Sequence, residues 1–139
     1  MSIRLGRGAL DAIRREAARA YPHEACGALL GSLQAQVSEA FALPNQETAR
    51  AGTRFTIAAA DYLRVEQAAE ARGAQLLGFW HSHPDHPARP SATDREHAWE
   101  GLLTVVVSVL EGEPCEITAW SVPGPGLPFA QVPWSLEQA

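Results

Sequence analysis

The feature that most constrains this chain is a short apolar run that ends in two histidines. Gln75 to Trp80 contains an aromatic pair and no charge, which predicts a short buried strand. His81 and His83 follow at spacing i, i+2 and therefore point to one face of the strand, while Ser82 points to the other. Pro84 has no N–H to donate to a neighbouring strand and ends the run. Two imidazoles held side by side can share one metal ion at about 2.0–2.1 Å each.

A second polar pattern follows after a loop. Ser91 and Asp94 lie at the start of a predicted helix, Ser91 to Gly101, where the Asp94 carboxylate could close the site. Two neutral imidazoles, one carboxylate and a position left for water are what a catalytic zinc centre needs. The same segment is also a capping-box pattern, with Ser91 as N-cap and an acid at N3. If Asp94 caps the Ser91 N–H, we expect that it cannot also sit squarely on a metal.

Together these residues resemble the signature of the JAMM (MPN-plus) metalloprotease family. The match is His81, one residue, His83, seven residues, Ser91, two residues and Asp94. The family also carries a glutamate near the start of its first core strand. The segment from Tyr21 to Gly31 is similar to that region, with Glu24 in the place of the glutamate. The resemblance covers most of the chain, from Leu5 to Val122.

The resemblance implies a role for each matched residue. His81, His83 and Asp94 would bind one Zn²⁺ per chain; the alternative for the histidines is an exposed pair at a strand end. Glu24 would act as general base on a water whose pKa zinc lowers to about 7. The alternative for Glu24 is a surface side chain in a loop after a helix. Ser91 would donate a hydrogen bond to the oxyanion beside the metal, and its alternative role is the helix cap.

Other polar side chains near these motifs are predicted to be structural. Ser82 faces away from the paired histidines and is assigned a packing or hydrogen-bonding role. Cys26 is predicted to be a small core thiol rather than a nucleophile. His86 and His97 are expected at solvated loop and helix positions. The sequence assigns no role to His23.

Composition narrows the class of protein. The 139 residues, 46% hydrophobic and 19% charged, predict a single globular domain over residues 1–139. A net charge of −5 argues against a nucleic-acid-binding protein. No signal peptide and no membrane span are predicted, because no apolar run approaches roughly 18 residues. Cys26 and Cys115 lie in stretches predicted as buried strands and are expected to be reduced thiols of a cytoplasmic protein.

Hydrophobic periodicity predicts further helices and strands. Helices are predicted at Ala9–Ala20 and Ala58–Arg72, and strands at Ala25–Leu30, Gln36–Leu43, Arg54–Ile57, Leu102–Leu110, Cys115–Val122 and Phe129–Trp134. Gly31 is expected to close the first of these strands, and Glu111 to Pro114 to form a turn. This order predicts a three-layer α/β/α domain with a central mixed β-sheet. The JAMM resemblance implies that this architecture is like that of the cytidine deaminases.

The function implied by the resemblance is that of a zinc-dependent peptidase or isopeptidase. Such an enzyme would hydrolyse the bond after the C-terminal glycine of a ubiquitin-like or sulfur-carrier protein, with the substrate tail added to a sheet edge. A non-catalytic MPN scaffold is one alternative, although scaffolds of this kind typically lose metal ligands that are present here. A small-molecule amidohydrolase is another. The physiological substrate, the sheet edge and the oligomeric state are left open by the sequence.

Overall fold

A computed structural model describes residues 2–32, 35–45, 57–92, 94, 101–123 and 127–137. Within these residues the chain forms eight strands and two helices. In chain order they are β1 (Ile3–Leu5), α1 (Arg7–Ala20), β2 (Cys26–Ser32), β3 (Gln36–Leu43), α2 (Ala59–Ala71), β4 (Gln75–Pro84), β5 (Leu103–Leu110), β6 (Glu113–Ser121), β7 (Ala130–Val132) and β8 (Trp134–Leu136). Most of the predicted strand Arg54–Ile57 and of the predicted helix Ser91–Gly101 lies outside the described residues, although Ala92 and Asp94 have helical backbone.

All eight strands belong to one mixed sheet, in the order β7-β6-β5-β4-β2-β3-β1-β8. The β2–β3 hairpin is antiparallel, and β4 runs antiparallel to β2 and parallel to β5. Gly78 allows β4 to pair closely with β5, because a Cβ at that position would collide with the Leu103 backbone. The strand that carries the histidine pair is therefore held along both sides at the middle of the sheet.

The two helices cover opposite faces of the sheet. Leu29 of β2 packs in the same cluster as Ile13 of α1, whereas the next residue, Leu30, packs with Val65 of α2. Successive strand residues point to opposite faces, so the two clusters lie on the two sides of the sheet. These four side chains are 0% exposed, and each contributes about 1.5–3 kcal/mol by leaving water. The predicted three-layer architecture with a central mixed sheet is confirmed.

The sheet curves until its two ends meet. β7 pairs with β6 and β8 pairs with β1, at opposite ends of the strand order, yet only Pro133 separates β7 from β8. The Pro133 carbonyl accepts a hydrogen bond from the Ile3 N–H at 2.9 Å. Because α1 contacts β3, β4, β5 and β6, the curved sheet wraps around that helix. The single edge strand predicted at Phe129–Trp134 is thus two short strands that serve both ends of the sheet.

Several predicted boundaries differ from those of the structure. Gly31 does not close β2, since it remains paired beyond an irregularity in register between Leu30 and Gly31. Pro114 lies within β6 rather than in a turn. Proline is tolerated there because β7 pairs only with the far end of β6, so the other side of β6 has no described partner at this point. Cys115 is exposed, so its predicted burial is wrong, while Cys26 is buried and both thiols are free.

The helix boundaries follow from local signals. α1 ends at Ala20, directly before the predicted stop at Tyr21 and Pro22. α2 ends before Gly73, whose φ of +63° is the left-handed conformation that glycine adopts most readily. Among the residues that the structure describes, no helix is both long enough and apolar enough to cross a lipid bilayer.

Candidate metal centre

His81 and His83 lie next to each other on one face of β4, as their spacing predicts. Their Nε2 atoms are 3.2 Å apart, and the residues are 2% and 8% exposed. The register places His81 opposite Cys26 of β2 and His83 opposite Ser108 of β5. Because both neighbouring strands fix this backbone, the two imidazoles form a rigid and buried pair.

Asp94 brings a carboxylate to the same point. Its Oδ2 lies 3.1 Å from His81 Nε2 and 3.0 Å from His83 Nε2. The capping box is also present, since the Ser91 N–H donates to Oδ2 at 2.7 Å and the Asp94 N–H donates to Ser91 Oγ at 3.0 Å. A carboxylate oxygen has two lone pairs, so one can accept the Ser91 N–H while the other is left for an ion that both imidazoles also bind. In this geometry the two roles expected to compete are compatible.

The three donor atoms form a triangle of the size that a tetrahedral ion requires. Its edges are 3.2, 3.1 and 3.0 Å. Ligands at about 2.0–2.1 Å from a tetrahedral zinc ion are about 3.3 Å from one another. Two imidazoles and one carboxylate with a free fourth position are also a donor set that catalytic zinc sites use. The residues present therefore fit a zinc ion.

Glu24, from the loop between α1 and β2, completes the group. One donor atom from each of Glu24, His81, His83 and Asp94 lies within 4.8 Å of the other three. Glu24 is 4% exposed, and its Oε1 has no hydrogen-bond partner within the described residues. A buried polar atom without a partner is costly, on the order of 1–3 kcal/mol. A water molecule beside the carboxylate would supply the missing donor.

The chain matches the family described as prokaryotic homologs of the JAB domain, over residues 6–123. It belongs to this family. The matched range contains every residue of the cluster, and the predicted membership of the JAMM/MPN family is confirmed.

Individual proteins are similar to this JAB-domain protein in sequence or in fold. A desampylase from Haloferax volcanii is 33% identical over 100 residues, which are 71% of this chain and 72% of the relative. The solution structure of a protein from Desulfitobacterium hafniense matches with a TM-score of 0.85 at 25% identity, over 99% of this chain and 94% of that chain. A solution structure from Salinibacter ruber matches with a TM-score of 0.72 at 36% identity, over 96% and 92%.

In this JAB-domain protein the loop after β4 orients one of the imidazoles. His83 Nδ1 lies 2.8 Å from the Pro87 carbonyl oxygen. Because a carbonyl can only accept, Nδ1 carries the proton and donates this hydrogen bond. In the neutral ring Nε2 is then unprotonated and directs its lone pair into the triangle. The contact with Pro87 was not predicted from the sequence, because every residue type has a backbone carbonyl.

Burial and mutual contacts set the charge of the three donor side chains. Burial lowers the pKa of His81 and outweighs the contacts of the ring with Asp94. Burial acts in the same direction on His83, but hydrogen bonds to Asp94 and Pro87 outweigh it and raise the pKa. Burial disfavours the charge of Asp94, yet hydrogen bonds with both histidines hold its pKa well below the usual range. The carboxylate is therefore ionised at neutral pH, as metal binding requires.

Glu24 differs from Asp94 in its protonation. Burial raises the pKa of Glu24 to about 8, while the neighbouring His83 lowers it by less and Asp94 raises it further. Without a nearby cation the carboxyl group is therefore mostly protonated at pH 7. A cation beside it would favour the carboxylate, because opposite charges stabilise the ionised form. A strongly shifted carboxyl in a cluster of donors is typical of functional sites.

Ser82 and Cys26 have the structural roles that were predicted for them. The Ser82 Oγ accepts a hydrogen bond from the Ala25 N–H at 2.8 Å. Cys26 is 0% exposed, and burial raises its pKa to about 12, so it is not ionised at neutral pH. A thiol that stays protonated is a poor nucleophile, which agrees with a core role.

The other histidines lie outside the cluster or outside the described residues. His23 and His86 are exposed, and His97 is not among the described residues. Sequence reasoning also missed Asn45, whose Nδ2 donates to the Glu24 carbonyl at 3.1 Å. The register of the β2–β3 hairpin could have indicated this contact. Cys26 pairs with Leu43, so the residues just after β3 lie close to Glu24, just before β2.

Proposed function

We propose that this chain is a zinc-dependent peptidase or isopeptidase that hydrolyses the bond after the C-terminal glycine of a ubiquitin-like or sulfur-carrier protein. The observation that carries the proposal is the buried Glu24 Oε1, which has no described partner and stands within 4.8 Å of the donor atoms of His81, His83 and Asp94. A hydrolytic site needs a carboxylate of this kind, close to the position of the attacking water.

Three side chains would hold the ion. His81, His83 and Asp94 provide two neutral imidazoles and an ionised carboxylate, and the triangle of donor atoms has edges of 3.0–3.2 Å. Bound there, zinc supplies Lewis-acid chemistry: it lowers the pKa of water to about 7 and polarises a carbonyl. One ion per chain follows from one such cluster among the described residues.

Glu24 would move the proton. In the ionised form its carboxylate takes a proton from the attacking water and then passes it to the nitrogen of the leaving amine. Without a cation, burial raises the pKa of Glu24 to about 8, and a cation held by the three ligands would favour the ionised form that accepts the proton.

Ser91 would stabilise the oxyanion. Its Oγ accepts the helix-capping hydrogen bond from the Asp94 N–H at 3.0 Å, which leaves the hydroxyl proton of Ser91 to donate elsewhere. Ser91 is exposed, so a substrate carbonyl can approach it. A donor aimed at the developing negative charge accelerates acyl transfer more than it favours substrate binding.

The substrate tail would pair with a sheet edge near the site, but not with β4, which is paired on both sides. Two stretches are paired on one side only in the described part of the chain: Ser38–Leu43 of β3, which pairs with β2, and Glu113–Thr118 of β6, which pairs with β5. Each is two strands from β4, about 10 Å, at the level of the histidines. Either would present backbone groups to an extended tail. The family resemblance and the desampylase relative favour a protein modifier as the source of that tail.

The deciding experiment uses a ubiquitin-like or sulfur-carrier protein whose Gly-Gly terminus is extended by a short peptide. Protein purified without a histidine tag is first assayed for zinc by mass spectrometry, with about one equivalent expected. Intact-mass measurement should then show cleavage directly after the terminal glycine, abolished by a chelator and restored by zinc. Zinc far below one equivalent would favour a non-catalytic scaffold. Turnover of small amides without cleavage of any carrier would favour an amidohydrolase.

A further inference from the structure

Two side chains hold the peptide bond that follows Glu24. The Glu24 carbonyl accepts a hydrogen bond from Asn45 Nδ2 at 3.1 Å, and the Ala25 N–H donates to Ser82 Oγ at 2.8 Å. The carbonyl and the N–H belong to one peptide unit, so side chains bind it at both of its polar groups. We propose that Ser82 and Asn45 are positioning residues that fix the Glu24 carboxylate over the metal site. The proposal rests on the hydrolytic function proposed above.

Glu24 needs such support because it lies outside the regular backbone hydrogen bonding of the sheet. β2 begins at Cys26, and the first residue pair between β2 and β4 is Cys26 with His81. One further backbone hydrogen bond, from the Ser82 N–H to the Ala25 carbonyl at 3.0 Å, continues the contact past the end of the strand. Among the described residues, no neighbouring strand forms a backbone hydrogen bond with the Ala25 N–H or the Glu24 carbonyl. The two side chains replace the missing partners.

Ser82 links the backbone next to Glu24 to the strand that carries the two imidazoles. It lies between His81 and His83, and strand alternation turns its side chain away from theirs. The contact is desolvated, because Ser82 is 0% and Ala25 7% exposed, and a hydrogen bond in such surroundings is stronger than one in water. The segment of β4 that presents the metal ligands therefore also sets where the Glu24 backbone lies relative to them.

Asn45 fixes the same peptide from the opposite side. It follows β3, the other neighbour of β2, and reaches back across the hairpin to the Glu24 carbonyl. The Cys26 thiol makes a weak contact with the Leu43 carbonyl at 3.6 Å, so the end of β3 is tied to the start of β2 at a second point. Glu24 is thus held from both strands that flank β2.

A merely structural role and a positioning role differ in what they change. Loss of a buried hydrogen bond lowers stability in both cases. Only a positioning role lowers the turnover of the folded, zinc-loaded protein, because displacement of a catalytic group by about 1 Å costs about 100-fold in rate. The ligand set is untouched, so zinc binding should stay the same.

The test compares Ser82→Ala, Ser82→Thr and Asn45→Ala with wild type, using the carrier protein with an extended Gly-Gly terminus. We expect Ser82→Ala to keep about one zinc per chain, to lower kcat about 10- to 100-fold and to change KM less than about 2-fold. Ser82→Thr keeps the hydroxyl and should restore most of kcat, and Asn45→Ala should lower kcat by a smaller factor. Ile13→Val, a core change in α1, is the control for lost stability and should leave kcat unchanged.

A measurement on zinc-free protein tests the contact itself. Ser82→Ala should speed hydrogen exchange of the Ala25 amide at least 10-fold relative to the amides of β2, whereas Ile13→Val should not. The proposal is overturned if Ser82→Ala keeps kcat within 2-fold of wild type, if it loses zinc, or if exchange at Ala25 is unaltered. If wild-type protein cleaves no carrier, the proposed function fails and the catalytic role of the two residues fails with it. Exchange at Ala25 then still shows whether the contact exists.

Discussion

Ser91 and Asp94 hold each other through two hydrogen bonds, and one of the oxygens involved also faces the paired imidazoles. The Ser91 N–H donates to Asp94 Oδ2 at 2.7 Å, and that oxygen lies 3.1 Å from His81 Nε2 and 3.0 Å from His83 Nε2. This capping box satisfies two backbone N–H groups reciprocally and ties the two side chains together. The carboxylate is therefore oriented by the contacts of the capping box.

Replacing Ser91 by Ala should separate its two roles. Loss of the Oγ acceptor removes a helix cap and should lower stability by about 0.5–2 kcal/mol. Loss of the donor to the oxyanion should lower kcat by about 100-fold, with zinc retained. Ser91→Thr keeps both functions of the hydroxyl and is the matched control. Equal kcat for Ser91→Ala and wild type would limit Ser91 to capping.

Glu24→Gln should keep zinc but lose cleavage. The amide has the same shape as the carboxylate but cannot accept a proton from water, so kcat should fall by about 100- to 10,000-fold. Zinc content and turnover on the carrier protein are the measurements. Glu70→Gln, an exposed change on α2, serves as control and should retain full activity. Full activity in Glu24→Gln would show that another group is the base.

His83→Ala should lose both zinc and cleavage. It removes one of three donor atoms and leaves the Pro87 carbonyl without its donor. We expect zinc well below one equivalent after dialysis, and no product. His86→Ala removes an exposed imidazole three residues further along and should bind zinc like wild type. Near-stoichiometric zinc in His83→Ala would contradict the ligand assignment.

The pairing of His81 with His83 and that of Ser91 with Asp94 could be predicted from the sequence because each pair is local. Spacings of two along a strand and three at a helix start fix which side chains meet. Glu24 could not be placed in this way, since it reaches the cluster only through the pairing of β2 with β4. The family resemblance, not periodicity, identified it.

The features that were missed depend on contacts between distant parts of the chain. Asn45 meets Glu24 because the hairpin register brings the end of β3 back to the start of β2. Cys115 was expected to be buried because its strand is apolar overall, but β7 covers only the far end of β6. The split of the last predicted strand at Pro133 follows from the curvature of the whole sheet, which no local pattern contains.

The stability of the zinc-free protein should depend on pH through Glu24. Its pKa is about 8 when folded and 4.5 in the reference state. Below about pH 4.5 both states are protonated; between 4.5 and 8 the unfolded chain releases a proton that the folded chain keeps. The free energy of unfolding therefore falls as pH rises, on the order of 1.4 kcal/mol per pH unit, and levels off above about 8.

Glu24→Gln removes this dependence and provides the measurement. In urea titrations with chelator, the variant should be more stable than wild type at pH 8, with a difference that narrows toward pH 5. A difference that stays constant from pH 5 to 8 would show that the carboxyl ionises normally in the folded protein.

Gly27→Ala should destabilise the protein. A Cβ at Gly27 would collide with the Phe41 carbonyl and the Trp80 indole, which are joined by a hydrogen bond of 3.3 Å. Overpacking of this kind costs about 1–3 kcal/mol. A Cβ at Gly8 in α1 would meet nothing within 4 Å. Gly8→Ala should therefore raise the free energy of unfolding, by about 0.5–1 kcal/mol. Urea titration of both variants at one pH measures the difference.

The short segment from Ala130 to Leu136 pairs with both ends of the sheet and covers part of the backbone at each. Open sheets offer a ladder of unpaired backbone groups at each end, where other molecules can add strands and begin to aggregate. Here Ala130–Val132 occupies β6 at one end, and Trp134–Leu136 occupies β1 at the other. Because a single residue links the two strands, losing this segment would uncover both ladders at once.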